Sequence, residues 1–134
     1  MKVFAVPYGR LKTVGTVPLP NAIEAARTKI NELGENSPQA QPYWLSLATA
    51  AQSLGSAYLN VQAGVPAKDL ERANLWLAEA VRAFRKAGDT QQMVQTLVLR
   101  ARVLRRIRSV ESLQAAIECL DEARRMAPSA LDGM

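Results

Sequence analysis

Apolar residues recur along most of this chain at intervals of three and four, the period of an amphipathic helix. Ile23, Ala26, Ile30 and Leu33 form the first stripe. Leu47, Ala48, Ala51, Leu54, Gly55, Tyr58 and Leu59 form the second. Leu70, Ala73, Leu77, Ala80, Val81, Phe84 and Ala87 form the third. Val94, Leu97, Val98, Ala101 and Leu104 form the fourth, and Leu113, Ala116, Ile117, Leu120 and Ala123 the fifth. The pattern predicts an all-α chain with helices near 21–33, 42–63, 66–87, 90–108 and 110–127.

The boundaries carry their own signals. "NAIE" reads as a capping box, with Asn21 as N-cap and Glu24 as its partner. "DTQQ" repeats the signal with Asp89 and Gln92, and Ser109 is positioned to cap the fifth helix. Gly34, Gly64 and Gly88 stand where helices should stop, and Pro128 ends the last one. Residues 1–20 differ. "KVFAV" and "LKTVGTV" are β-branched and punctuated by Pro7, Gly9, Gly15, Pro18 and Pro20. They suit a small hairpin or an extended arm, and the arm is preferred because a lone two-stranded hairpin is marginal. The expected organisation is an arm over 1–20, a helical domain over 21–128 and a flexible tail over 129–134.

The third stripe repeats in the fifth. Leu77, Ala80, Val81, Phe84 and Ala87 match Leu113, Ala116, Ile117, Leu120 and Ala123 in spacing and size class. The second stripe repeats in the fourth: Ala48, Ala51, Gly55 and Tyr58 match Val94, Leu97, Ala101 and Leu104. Two helix–turn–helix units follow, over 42–88 and 89–127. A recurrence of this length signals a solenoid-like array.

"LGSAYL" followed by "AVRAFRKAG" resembles the tetratricopeptide repeat. Leu54, Gly55 and Tyr58 match that family's Leu-Gly-x-x-Tyr. Ala80, Phe84 and Ala87 match its Ala-x-x-x-Phe-x-x-Ala. Ala101, Leu104, Ala116, Leu120, Ala123 and Pro128 occupy the corresponding places in the second unit. The chain departs from the family at Ala51, where a Trp is usual, and in its longer segment between Tyr58 and Ala80. The resemblance implies antiparallel helix pairs in a short right-handed array. It places a binding groove on the first helix of each unit, lined by Gln52, Ser56 and Asn60, then Gln95, Arg102, Arg105 and Arg106. Amides and guanidinium groups there would suit an acidic or C-terminal segment.

Charge and chemistry add little that competes. Seventeen basic residues face twelve acidic ones, for a net charge of +5, a mild attraction for acidic partners. The run "RARVLRRIR" is the densest cluster. On a helix its charges spread: Arg102 and Arg106 share a polar face, Arg100 takes the opposite flank, and Arg105 and Arg108 border the apolar side. With few aromatics to stack bases, a nucleic-acid-associated regulator is the weaker alternative. The chain has no His, which removes the commonest general base and metal ligand. Cys119 is the only cysteine and flanks an apolar stripe, as a small packing residue would. Trp44 and Trp76 read as packing anchors. No phosphate loop or zinc spacing appears, so no enzyme, metal or cofactor is expected.

The sequence therefore predicts a non-enzymatic interaction module or adaptor that grips a peptide or protein on a helical groove. The start of the chain is too short and interrupted for a secretory signal, and no run is long enough to cross a membrane, so a cytoplasmic protein is expected. Assembly raises one further expectation. The helix over 21–33 should cap one end of the array, while "SALDGM" after the fifth helix is too short to cover Ile117 and Leu120 if they face outward. A homodimer through that helix, or the arm folded across it, would cover them.

Overall fold

The computed structural model describes residues 13–14, 17–60 and 64–127. Among them five α-helices carry the architecture: α1 (Leu19–Leu33), α2 (Gln41–Ser56), α3 (Ala67–Ala87), α4 (Thr90–Ile107) and α5 (Val110–Met126). A short 3-10 segment, Pro38–Ala40, leads into α2, and another, Ala57–Asn60, extends it. No helix among the described residues is long and apolar enough to cross a membrane.

Three boundaries differ from expectation. Ahead of α1, Thr13–Val14 (β1) pairs antiparallel with Val17–Pro18 (β2). Where the predicted arm is described it is thus a minimal hairpin; residues 1–12 lie outside the described residues, as does the tail from 128. Next, α1 begins at Leu19, so Asn21 lies within its first turn instead of capping it. Pro20 permits this, since the first turn needs no backbone donor there. Lastly, α2 ends at Ser56 and tightens into a 3-10 turn, where an unbroken helix to residue 63 was expected.

The other caps form as the sequence indicates. Gly88 closes α3 at φ 80, with its N–H donating to Arg85 O and the Asp89 N–H reaching back to Phe84 O. That is the left-handed stop at which a side chain is costly. One residue later, the Asp89 carboxylate accepts from the Gln92 N–H at 3.1 Å to open α4. Ser109 and Ser112 cap α5 reciprocally: each hydroxyl accepts from the other's backbone N–H, at 3.0 and 2.9 Å.

Each helix packs most extensively on its neighbour in sequence. Helix α2 is covered from two sides, by α1 and α3, which explains its composition. Its buried residues are Trp44, Leu47, Ala48, Ala50, Ala51, Leu54 and Gly55, too wide a face for a helix with one neighbour. The main core joins all five helices around Ile23, Leu54, Phe84, Met93, Leu97 and Cys119. A smaller cluster of Leu70, Ala73, Leu77 and Val103, with Tyr58 and Leu59 packed against it, sits where the extension of α2 meets α3 and α4.

Helices two apart also touch. Gln52 Nε2 of α2 donates to Thr96 Oγ1 of α4 at 2.8 Å, and Arg106 Nη1 donates to the Tyr58 carbonyl at 2.9 Å. Arg27 of α1 pairs with Glu79 of α3 at 3.4 Å, and Arg85 of α3 pairs with Glu122 of α5. These ion pairs are partly exposed, so each adds at most about 1 kcal/mol. Trp44 is an anchor, as expected. Its indole N–H donates to Glu35 O at 3.0 Å, and the Arg82 guanidinium lies 5.1 Å from its ring centre.

Candidate functional site: an arginine cleft

The C-terminal half of α4 and the residue that ends it carry five arginines within nine residues, and the fold separates them. Arg100 Nε donates to Asn74 Oδ1 of α3 at 2.8 Å, so this side chain bridges helices. Arg102, Arg105, Arg106 and Arg108 converge instead on one open cleft of about 770 Å³, closed by Leu59 and Leu113. Arg100 stands apart, as its opposite flank predicts; Arg102 and Arg106, expected to share a face, line the cleft together, and Arg105 and Arg108 join them there.

Two local features bring them together. The 3-10 extension of α2 carries Leu59 across to α4 and presents the Tyr58 carbonyl to Arg106. The second is the abrupt end of α4. Arg108 has φ 68 and ψ 19, the left-handed region, and its N–H donates to Leu104 O at 3.3 Å. It is the one non-glycine residue with positive φ in the described chain. A glycine would hold this turn without strain. An arginine there costs roughly 1 kcal/mol and adds a fourth arginine to the cleft lining. Ser109 immediately starts α5, which swings Leu113 onto the cleft's other wall.

The electrostatics are one-sided. Among the described residues Arg102, Arg105 and Arg108 meet no carboxylate. The carbonyl end of the α4 dipole favours cations at this position and offsets part of their mutual repulsion. Guanidinium groups stay charged at every accessible pH and offer planar donor forks to carboxylates.

The remaining residues predicted for the groove have different surroundings. The Gln52 amide is engaged by Thr96 and lies 3.5 Å from Gln92 Oε1. Ser56 Oγ donates to Ser53 O at 3.5 Å. Gln95 is exposed on α4 outside the cleft lining. Asn60 ends the 3-10 segment, and its side chain falls outside the described residues. Sequence reasoning missed Leu59, Arg108 and Leu113 as lining. One signal was available: with Ser109 as the cap of α5, Arg108 must make the whole turn between two helices.

Other sites offer less. A hollow of about 630 Å³ between α1 and α2 is lined by Ala22, Ala25, Lys29, Tyr43, Ser46 and Thr49 among others, mostly alanines with a single charged residue. Cys119 is buried in the core, and desolvation pushes its thiol pKa up, against the lowering influence of Arg100. Among the described residues no group of three or more Cys, Asp or Glu converges as a metal site would.

Comparison with protein-family models, with curated proteins and with solved structures finds no match. The resemblance to tetratricopeptide repeats thus rests on this chain's own residues.

Proposed function

We propose that the protein is a non-enzymatic interaction module, a short TPR-like array whose arginine cleft grips an acidic segment of a partner protein. One observation carries this reading: four arginines line one open cleft, and no carboxylate among the described residues neutralises Arg102, Arg105 or Arg108. A surface that holds like charges together against their repulsion gains when an anion arrives.

The array reading has its own support. Gln41 at the start of α2 reaches the Ala87 carbonyl at the end of α3, while Gly55 near the end of α2 lies against Leu77 and Ala73. Those contacts support an antiparallel α2–α3 pair. The Gln52–Thr96 and Tyr58–Arg106 contacts set α2 and α4 side by side with the same direction. In the TPR-like reading α2 and α4 are the first helices of their units, and the cleft spans both. The lining favours a protein over nucleic acid, since arginines flanked by two leucines provide no aromatic face for a base.

The test is affinity capture from the native cell, analysed by mass spectrometry, with the wild type beside Arg102→Glu/Arg105→Glu. Both residues are exposed, so the variant should fold normally. The expected result is a protein partner lost from the variant. Equal recovery on both baits would refute the assignment. Recovery of nuclease-sensitive material, lost steeply with added salt, would transfer the cleft to nucleic acid.

A further inference from the structure

We infer that the segment held at the arginine cleft is an acidic amphipathic helix whose apolar face lies along α5. The inference rests on the reading above and specifies the partner's form.

Helix α5 has two apolar faces where a helix at the edge of a fold needs one. Ser112, Ala116, Cys119 and Ala123 face the core. A second stripe faces outward: Val110 is 76% exposed, Leu113 44% and Ile117 60%, and half-buried Leu120 continues it. Positions 110, 113, 117 and 120 alternate steps of three and four, the seam spacing of helix–helix contacts. The stripe does not stop at the helix. Leu113 also forms a wall of the arginine cleft. The two features are one elongated surface, apolar along α5 and cationic at its N-terminal end.

The occupant's form follows from hydrogen bonding. The backbone donors and acceptors of α5 are spent within the helix, and its first turn is closed by the Ser109–Ser112 caps. An extended peptide laid along it would find no sheet edge to pair with. Its own backbone groups would be buried unpaired, at a cost of a few kcal/mol for each. A helical ligand satisfies its backbone internally and presents apolar side chains at the matching period.

Charge decides against a second copy of this chain. Stripe-to-stripe packing of two α5 helices in parallel sets one arginine cleft beside the other. The reversed orientation brings Arg124 and Arg125 toward the cleft, and the nearby Asp121 is already paired with Arg124 at 3.6 Å. The exposed Glu111 and Glu118 flank the stripe, but a second copy would bring its own arginines along with them, a poorer match to Arg102, Arg105 and Arg108 than a wholly acidic flank. A helix with leucine-type residues on one face and glutamates beside them satisfies both halves of the surface.

Fluorescence anisotropy with three labelled synthetic peptides tests this. The first is an amphipathic helix of about 18 residues, with leucines at seam positions and glutamates flanking them. The second has the same composition with two central prolines, and the third replaces glutamate by lysine. The expected result is that only the first binds. Ile117→Ser and Arg105→Glu should each weaken it about tenfold, as loss of one buried apolar side chain or one charge contact predicts. Both residues are exposed, and circular dichroism verifies that the variants fold. Equal binding of the proline peptide, or no effect of Ile117→Ser while Arg105→Glu abolishes binding, overturns the helical inference and leaves the acidic-segment reading standing. Failure of all three peptides also overturns the inference, while partner capture judges the cleft separately. If the wild type sediments as a dimer that Ile117→Ser makes monomeric, the stripe is an interface between copies and the inference is wrong.

Discussion

A Cβ placed on Gly55 would lie 2.5 Å from Cγ of Leu77 and 3.0 Å from the Ala73 carbonyl oxygen. Helices α2 and α3 therefore meet backbone to side chain at this point, and the hydrogen of Gly55 is the packing surface. Gly55→Ala gains roughly 0.5 to 1 kcal/mol in helix propensity. It also forces Leu77, itself fully buried, into a space with no room to yield. Overpacking of this kind costs about 1 to 3 kcal/mol. The net expectation is a loss of about 1 kcal/mol or more, measured by chemical denaturation. Adding Leu77→Ala should recover none of the cavity cost yet make the alanine at 55 harmless, so the two changes should be strongly non-additive. Additive losses would show that the contact at Gly55 is not what holds α2 to α3.

Stability and recognition should part company at Arg108. Its left-handed backbone suits glycine, and the strain relieved by Arg108→Gly exceeds the added freedom of the unfolded chain. The variant is expected to gain about 0.5 kcal/mol and to melt a few degrees higher, while binding acidic peptides more weakly for want of a guanidinium. Arg108→Ala keeps the strain and loses the charge, so it should bind weakly without the gain in melting temperature. A glycine variant that melts lower would show that the side chain itself stabilises the turn.

The Cys119 thiol predicts a pH dependence. Burial raises its pKa above the ordinary value of 9.0, because the thiolate is harder to hold in the core than in water; Glu122 and Glu118 push the same way, while Arg100 opposes. The folded state thus keeps its proton to higher pH than the unfolded state. The thiol's contribution is complete below pH 9 and is lost as the pH rises through the folded value. Above about pH 9, thermal melts of the wild type should fall more steeply than those of Cys119→Ala, which lacks the group. Parallel curves for the two proteins would remove Cys119 as the cause.

Helices were legible because their signals are local. Ile23, Ala26 and Ile30 announce α1 by period alone, and Asp89 and Ser109 cap helices through bonds to residues three positions on. Errors arose where a competing local preference won. Pro20 drew the start of α1 ahead of Asn21, and the chain after Ser56 tightened before its apolar pattern ran out. The cleft was half legible. Arg102, Arg105 and Arg106 stood out as charges, but Leu59 and Leu113 are far apart in sequence and meet only through tertiary packing. Arg108 was legible only indirectly, through the Ser109 cap beside it, because its own conformation is one that arginine seldom adopts.

The sequential packing of α1 to α5 has a consequence in time. Because each helix rests chiefly on the next one along the chain, the contacts that define the fold close only short stretches of polypeptide. Little chain entropy must be surrendered before each contact forms. A topology of that kind belongs with the rapid folders, on the microsecond-to-millisecond scale, and it lets α1 and α2 dock while α5 is still being synthesised. The outward stripe on α5 emerges only after the faces of α1 to α4 have had time to find one another.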